Sequence, residues 1–481
     1  MLTISRSILR RFRTLCRRGG LHKAAAGGCV VTFVGGPEGC RIQATSPDVS
    51  IEYHQTAPCE ARTIRLPLAA LEVCEGRDES PVTITVRPDD SVELAWNDHG
   101  VPRSAGQVQS KPKSEAFPAW PSTTAANDAA LWPALADSVE TTDPNSSRYA
   151  LGCLQLRGAA GTVEATDGHQ ALTQGGYRFG FEDDVLVPAT KLIGCADLNA
   201  PGGFQVGRSE KHVGFGLGSW RLMLRIQDGR FPKLDQILPS GVGVKSTLEL
   251  GTSDARFLID AMPRLPCHDA IHQPITLDLN GKVLIRCREA DKARPTEVQL
   301  GRSKLIGDPI VLNTNRRYVE RALRLGFNRI GLFGPESPVL CDDGRRRFVW
   351  MLLDKGSAIP RHAEPARILS PVDELRSTIE SKPPVVHDHS TSKPTEVPMS
   401  EPSSDRRVAG ASKTKSSIPS ARSQQRPTAS AIEQAAVLRD LLRNVAGQAG
   451  ELLRSLKQQK RRARIVATTL AALKQLEKAA G

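Results

Sequence analysis

VLVPATKL, at residues 185–192, is a short apolar strand pattern that runs into a proline and then into the start of an amphipathic helix. A similar phrase, IRLPLAAL, lies at residues 64–71, and a third, IVLNTNRR, lies at residues 310–317 with Asn313 in place of the proline. These proline or asparagine positions are 121 and 125 residues apart. A period of this length is too long for a solenoid unit and predicts tandem copies of one domain.

Three domains of ordinary size follow from this period, at residues 1–118, 119–240 and 241–355. A Phe-Pro phrase at Phe117 and another at Phe231 would follow the last strand of the first two. Each domain is expected to be α+β, with two helices among short strands in antiparallel sheets. The clearest predicted strands are residues 29–33, 82–86, 162–165, 213–217, 220–226, 275–279, 282–287 and 347–353.

Helical periodicity is clearest in residues 3–17, 252–262 and 313–325. The first segment has an apolar face that includes Ile4 and an opposite stripe of arginines without an acidic residue among them. Because such a stripe repels itself unless an anion lies beside it, we expect it to contact DNA; a solvated face is the alternative. The third segment has a second stripe with Glu320 nearby, which fits a DNA contact and a solvated surface equally well. The two stripes consist of Arg6, Arg10, Arg13 and Arg17, and of Arg317, Arg321 and Arg324.

The net charge of +13 is unevenly distributed. Residues 1–23 contain seven basic and no acidic residues, and residues 356–481 carry a net charge of +9. The remainder is close to neutral, at −3. A near-neutral body with basic stripes predicts a polyanionic partner along one surface.

Composition changes after Leu353. Residues 356–428 are rich in Pro, Ser, Thr and charge, so we predict a disordered linker. Residues 429–481 carry leucines at heptad spacing and a basic cluster at residues 457–464, which predicts a basic helical tail, as a coiled coil or a helical hairpin. The tail could bind a partner or itself, or it could make a second contact with nucleic acid.

The ten cysteines contain no Cys-x-x-Cys pair, so neither a zinc site nor another metal or cofactor site is predicted. Without a secretory signal they are expected to be reduced core residues. No apolar run is long enough to span a bilayer, and we expect a cytoplasmic protein without membrane contact.

Three phrases in the second domain resemble the bacterial DNA polymerase III sliding clamp, the beta subunit. They are EATDGHQAL at residues 164–172, DGRFP at residues 228–232 followed by ILP at residues 237–239, and RYAL at residues 148–151. They occur in the order and spacing of that family. The resemblance covers about residues 1–354 and departs from the family at Gln170, where an arginine is usual, and at residues 349–353, which lack the family's terminal proline.

The resemblance implies three tandem clamp domains in each protomer and a head-to-tail ring, a homodimer, around double-stranded DNA. Helices would line the hole, where basic side chains face phosphates without reading sequence. The family is non-catalytic and gives the replicative polymerase its processivity. DNA polymerase and clamp-loader subunits bind it through a short peptide.

Family positions carried onto this chain predict two sets of site residues. The DNA contacts would add Lys23, Asn145, Arg148 and Tyr149 to the arginine stripes. The partner-peptide pocket, between the second and third domains, would be mostly apolar. Its residues would be Leu151, Thr166, Gly168, His169, Gln170, Ala171, Pro232, Ile237, Pro338, Phe348, Val349, Trp350, Met351 and Leu352.

Other functions have weaker sequence support. Asp167 and His169 could form a catalytic pair, but no motif places a nucleophile beside them, and a turn beside the pocket with positive φ at Gly168 explains them better. A diverged clamp-like paralogue could act as a DNA-bound scaffold through its coiled-coil tail. A basic coiled-coil nucleic-acid-binding protein without a ring is the third possibility.

Overall fold

One order of strands occurs three times in the computed structural model, which describes residues 1–23, 28–111, 116–146, 150–198 and 203–371. The first repeat contains β1 (Leu2–Ser5), β2 (Val30–Gly36), β3 (Gly39–Thr45), β4 (Val49–Gln55), β5 (Thr63–Pro67), β6 (Pro81–Val86), β7 (Ser91–Asp98) and β8 (Val101–Val108). The second contains β9 (Thr124–Asn127), β10 (Cys153–Arg157), β11 (Thr162–Thr166), β12 (Gln170–Gln174), β13 (Asp184–Pro188), β14 (Phe204–Arg208), β15 (His212–Leu217) and β16 (Trp220–Arg225). The third contains β17 (Ser246–Glu249), β18 (Pro274–Asp278), β19 (Val283–Cys287), β20 (Thr296–Leu300), β21 (Lys304–Gly307), β22 (Val311–Asn315), β23 (Arg329–Leu332), β24 (Val339–Asp342) and β25 (Arg346–Trp350). Its β21, which pairs with β17, has no counterpart in the first two repeats, and β26 (Ala366–Leu369) follows the third repeat.

Helices are few and short in this part of the chain. The α-helices are α1 (Arg6–Arg18), α2 (Leu131–Val139), α3 (Leu234–Ile237), α4 (Thr252–Ala261) and α5 (Arg316–Arg324). The 3-10 helices are Leu21–Lys23, Leu68–Glu72, Ala196–Leu198, Gly241–Gly243, Met262–Arg264 and Lys355–Ser357.

Consecutive repeats are joined by strand pairing. The four sheets have the orders β1-β6-β7-β8, β5-β2-β3-β4-β16-β15-β14-β9, β13-β10-β11-β12-β25-β24-β23-β17-β21 and β22-β18-β19-β20-β26. The fourth strand of the first repeat therefore pairs with the last strand of the second, with Ile51 opposite Leu222. The fourth strand of the second repeat pairs in the same antiparallel way with the last strand of the third, with Leu172 opposite Phe348. We call these two pairings the joins.

The recurring phrases of the sequence mark equivalent places in this order. Each phrase covers the strand that lies at the outer end of its sheet, β5, β13 or β22. The expected second helix follows only β22, where Asn315 begins α5 by accepting a hydrogen bond from the Arg317 amide at 2.9 Å. The prediction of a second α-helix after Pro188 is wrong: Gly194 adopts φ +80°, and a Cβ there would lie 2.5 Å from that of Ala136. After Pro67 the chain forms only the 3-10 helix.

α1 begins later than its apolar periodicity indicates. Ser5 caps it by accepting a hydrogen bond from the Ile8 amide at 3.4 Å, so Ile4 lies on β1, opposite Val82. Leu9, Phe12 and Leu15 on α1 are fully buried, and each such side chain stabilises the fold by about 1.5–3 kcal/mol.

Apolar side chains form two large cores. One extends across the first and second repeats, where Phe12 and Tyr53 approach Trp220 with ring centroids 6.2 and 4.8 Å away. The other fills the third repeat and includes Leu172 from the second. None of the ten cysteines forms a disulfide, and seven of them are buried. The described residues contain no helix long and apolar enough to cross a membrane and no cluster of His, Cys, Asp and Glu arranged to hold a metal ion.

The predicted linker begins later than residue 356. Its first part contains β26, which pairs with β20 in parallel, and Ile359, which is buried. The composition of this segment led to the wrong boundary because its order comes from backbone pairing on a neighbouring sheet. The remainder of the predicted linker and the whole predicted helical tail lie outside the described residues.

Candidate nucleic-acid and partner interfaces

The arginine stripe on α1 is divided between buried and exposed positions. Arg6 is almost fully buried and donates to Asp78 and Asp98, both at 3.1 Å. Arg13 is equally buried, lies 2.7 Å from Glu75, and pairs with Glu72. The prediction that this stripe has no acidic partner is therefore wrong. The carboxylates come from the segment between the start of the 3-10 helix Leu68–Glu72 and β6, and from the end of β7, which helical spacing does not reveal.

Arg10 and Arg17 remain available on α1. Arg10 is exposed and has no hydrogen bond or ion pair within the described part of the chain. Arg17 keeps about half of its side-chain surface exposed and has one long contact to Glu72, at 3.9 Å. Because an exposed arginine without a close partner can approach a phosphate without losing an existing bond, these two are the α1 residues best placed for DNA.

Burial also affects the acidic partners of this helix. Burial raises the pKa of Glu75 above its ordinary value, although the charge and hydrogen bond of Arg13 oppose the shift. A hydrogen bond from Ser80 is the main cause that holds the pKa of Asp78 below its ordinary value, and the Arg6 charge acts in the same direction. The Arg6 and Arg13 charges therefore both favour the ionised carboxylates, although burial outweighs Arg13 at Glu75.

The second arginine stripe, on α5, is divided in the same way. Arg321 is mostly buried and donates to Glu140 at 2.6 Å and to the Thr141 hydroxyl at 2.9 Å, so it fastens the third repeat to the end of α2. Arg324 is more than half exposed and donates to Glu320 at 2.9 Å. Arg317 is exposed. Arg317 and Arg324 therefore remain candidates for DNA contact, and Arg321 has a structural partner instead.

The contacts carried over from the family fall mostly outside the described residues. Arg148 and Tyr149 lie there, as does the side chain of Lys23. Asn145 is exposed, and its amide donates to the Asp143 carboxylate at 3.0 Å.

The second join brings the predicted pocket residues from two repeats together. β12 and β25 place Ala171 opposite Val349, and the Met351 amide donates to the His169 carbonyl at 2.9 Å. Ala171 also packs in a small apolar cluster with Phe231 and Leu234. Several of the predicted pocket residues therefore lie together at this join.

Side-chain alternation divides the last strand between two faces. Phe348 and Trp350 point into the core of the third repeat, with ring centroids 5.3 Å apart, and the Trp350 indole donates to the Thr314 hydroxyl at 3.0 Å. Val349 and Met351 lie on the opposite face, and Met351 is 45% exposed. Phe348 and Trp350 were predicted to line the pocket, but their side chains are buried in this core, because consecutive residues of a strand face opposite sides.

The EATDGHQAL phrase forms the turn that leads into β12. Asp167 accepts hydrogen bonds from the amides of His169 at 2.8 Å and Gln170 at 2.9 Å, and Gly168 adopts φ +92°. Thr166 accepts from the Gly168 amide at 3.0 Å and donates to the Gln170 carbonyl at 2.6 Å. The carboxylate is thus committed to the turn, in agreement with the structural interpretation of this phrase.

The remaining predicted pocket residues differ in their burial. Leu151 is buried, and its side chain would lie 3.9 Å from a Cβ at position 168. Pro232 and Pro338 are half-buried, and Leu352 packs against the core of the third repeat. Ile237 is 64% exposed at the end of α3. Sequence reasoning missed Leu234, whose burial beside Ala171 depends on the chain returning after β16.

A cleft of about 530 Å³ lies near the same join but is lined by different residues. Its walls include Asp137 of α2, Tyr177, and Arg345 and Arg346 at the start of β25. Arg345 lies over the Tyr177 ring at 5.1 Å and donates to the Gly175 carbonyl at 2.8 Å. Its guanidinium therefore closes one wall of the cleft.

Solved sliding clamps have the same fold. The structure is similar to the DNA polymerase III subunit beta from Pseudomonas aeruginosa, with a TM-score of 0.61 and 19% identity over 73% of this chain and 99% of that one. It is also similar to the DNA polymerase sliding clamp from Bacillus subtilis, with a TM-score of 0.62 and 12% identity over 73% of this chain and 98% of that one. No protein-family model matches the chain, and no curated protein matches it significantly in sequence. The predicted resemblance is therefore confirmed at the level of the fold: this chain has the fold of the DNA polymerase III beta sliding clamps, at an identity consistent with a diverged member.

Proposed function

We propose that this protein is a DNA sliding clamp, a non-catalytic protomer of a head-to-tail ring that encircles duplex DNA and tethers a DNA polymerase to its template. The observation that carries the proposal is the coverage of the solved clamps over 98–99% of their own length, despite identities of 12–19%. Since a fold alone does not establish a function, two features of the chain's own geometry are needed as further support.

The first feature is the pair of joins. Each connects a fourth strand to the last strand of the following repeat, which leaves the last strand of the first repeat, β8, and the fourth strand of the third repeat, β20, as the two ends of the series. A second copy could continue the series by pairing its β8 with this β20. β8 ends its sheet and has a neighbour on one side only, which leaves a row of backbone groups for pairing, and its Val101 and Val108 side chains are 50% and 81% exposed.

The second feature is the set of arginines in the two stripes that are exposed and not buried in ion pairs. Arg10, Arg17, Arg317 and Arg324 come from helices of the first and third repeats. Contacts of this kind bind phosphates without sequence preference and weaken steeply with salt. A ring retains DNA by topology, so such contacts only need to be weak.

Topological retention tests the proposal. The full chain is loaded onto nicked circular DNA by the clamp loader of the same organism, washed at high salt, and the DNA is then cut once. Retention on circles followed by release from linear ends is expected. Equal loss from circular and linear DNA would contradict the proposal and favour a clamp-like scaffold that binds DNA without encircling it.

A variant of the free strand provides the matched control. Val108→Asp places a charge on a side chain that is 81% exposed, so the stability of the protomer should not change. If the ring closes through β8, this variant should bind linear DNA normally and lose retention on circles. Normal retention by the variant would exclude β8 as a closing strand.

A further inference from the structure

The edge of the third repeat that would continue the series is covered by the chain itself. β26 pairs with β20 over four residues, from Thr296 opposite Ala366 to Gln299 opposite Leu369. Its flanks add hydrogen bonds from the Ala366 amide to the Pro295 carbonyl and from the Ser370 amide to the Gln299 carbonyl, each at 3.0 Å. At the two joins, the equivalent strands β4 and β12 have a last strand in this place.

We propose that β26 is an internal cover of the ring-closing edge, which a second copy must displace before its β8 can pair with β20. This inference rests on the head-to-tail ring of the proposed function. Both competitors would occupy the same row of backbone donors and acceptors, because one side of a strand pairs with one neighbour at a time. The chain with β26 in place is therefore a closed-edge form with low affinity for its own copies.

The segment that leads to β26 is anchored firmly. Ile359 is buried, and its amide donates to the Thr276 hydroxyl at 2.7 Å. Arg361 donates to both carboxylate oxygens of the buried Asp278, at 2.6 and 3.0 Å. Arg294 donates to the Glu364 carbonyl at 2.5 Å. These contacts hold the cover next to the edge even when the strand itself separates.

β26 itself is held much less firmly than this anchor. All four of its residues are exposed, including Leu369 at 67%, so its side chains bury little apolar surface. Within the described residues, the only ion pair between β26 and β20 is the long one of Arg367 with Glu297, at 3.7 Å. Its pairing is parallel, which is slightly less stable per residue than the antiparallel pairing of both joins. A firm anchor with a weakly held strand is suited to displacement.

β8 of a second copy could provide β20 with the same kinds of contact that β26 provides. It contains one charged residue, the exposed Arg103, and could provide Glu297 with the same kind of partner. It also presents the exposed Val101 and Val108. A copy that paired antiparallel through β8 would repeat the geometry of the two joins.

Two proline substitutions distinguish the loss of strand pairing from the mere introduction of a proline into β26. The Ala366 and Ser370 amides point to β20, so alternation assigns the Ile368 amide to the same side and the Leu369 amide to the outside. Ile368→Pro should release β26, whereas Leu369→Pro should leave it paired because its amide donates nothing to β20. Hydrogen exchange of the β20 amides in the full chain verifies release.

Self-association of these full-length chains, measured by sedimentation velocity over a range of concentrations, tests the inference. Each chain is measured with and without an added Val108→Asp. Only the part of the self-association that Val108→Asp removes is compared, because that part depends on pairing through β8. Since affinity rises with the fraction of chains whose edge is free, Ile368→Pro should dimerise at least about tenfold more tightly than the unmodified chain and Leu369→Pro.

Two results would overturn the inference in distinguishable ways. The unmodified chain and Ile368→Pro could dimerise with equal affinity, in both cases through Val108. This would show that the ring closes with β26 in place, which leaves the proposed function intact. No Val108-dependent association in any variant, with β20 amides exposed to exchange in Ile368→Pro, would show that β20 is not a closing edge and would count against the ring as well.

Discussion

Arg361 and Asp278 form a two-point ion pair across 83 residues of sequence, with Arg361 Nε 2.6 Å from Asp278 Oδ2 and Nη2 3.0 Å from Oδ1. Asp278 is completely buried, and Arg286, also buried, lies 3.0 Å from the same carboxylate. This pair connects the chain that follows the third repeat to the sheet of β18, β19 and β20. It therefore determines where the segment before β26 runs.

Asp278→Asn should destabilise the protein by about 3 kcal/mol at neutral pH, because Arg286 would keep its burial and lose its charged partner. Denaturant unfolding at pH 7 measures the loss. Asp291→Asn removes the same charge from an exposed residue and should cause little change. Equal stability of the two variants would contradict a stabilising role for the buried carboxylate.

The same carboxylate should contribute to acid sensitivity. Burial favours its protonated form, but the hydrogen bond from Arg361 and the charge of Arg286 prevail and hold the pKa of Asp278 below its ordinary value. A depressed pKa contributes stability that is complete above the ordinary aspartate value of about 3.9 and is lost as the pH falls through the lower folded value. Asp278→Asn should therefore flatten the fall in unfolding free energy between about pH 4 and pH 2. An unchanged slope would contradict the assignment.

Arg10 and Arg17 should affect DNA without affecting stability. Replacing both with Glu removes two exposed positive charges, so the slope of log affinity against log salt should flatten by about 0.9 for each lost phosphate contact. Binding to linear duplex DNA over a salt series measures this. Arg13→Gln is the contrasting variant, because it leaves the partly buried Glu75 without its partner and should lower stability by about 3 kcal/mol. Unchanged DNA affinity in the double variant would exclude α1 from the DNA interface.

Arg321 and Arg324 lie on the same predicted stripe, but their replacement should affect the stability of the protein to different extents. Arg321→Met should lower stability by about 1–3 kcal/mol, since it removes charged hydrogen bonds between α5 and the end of α2. Arg324→Met removes an exposed pair with Glu320 and should cost less than about 0.5 kcal/mol. Thermal unfolding of both variants provides the comparison, and equal losses would contradict the fastening role of Arg321.

Met351 and Trp350 provide a test of the partner pocket. Met351→Asp should abolish binding of a clamp-binding peptide and leave the fold intact, because the side chain is 45% exposed on the outer face of β25. Trp350→Ala should instead lower stability by about 3–5 kcal/mol through loss of core packing. Peptide titration by fluorescence anisotropy and chemical unfolding distinguish the two effects. Wild-type peptide affinity in Met351→Asp would exclude this face as the pocket.

Local sequence patterns by themselves determined most of the strands, three of the helices and the recurring order. The phrases before Pro67, Pro188 and Asn313 mark equivalent strands because alternation and turn residues act locally. The turn of Asp167 and Gly168 also follows from short-range chemistry, since the carboxylate bonds amides two and three residues ahead. The phrases that resemble the sliding clamps lie in such locally determined segments.

Only the tertiary structure decided which residues of each stripe face solvent. Arg6 and Arg13 meet carboxylates more than fifty residues away in sequence, and helical spacing contains no information about them. Phe348 and Trp350 enter the core because β12 fixes which face of β25 is covered. β26 exists as a strand because β20 presents an unpaired row of backbone groups, and its composition alone predicts a linker. Long-range contacts of this kind depend on the whole fold, so they separate the residues that hold this protein together from those left free to bind.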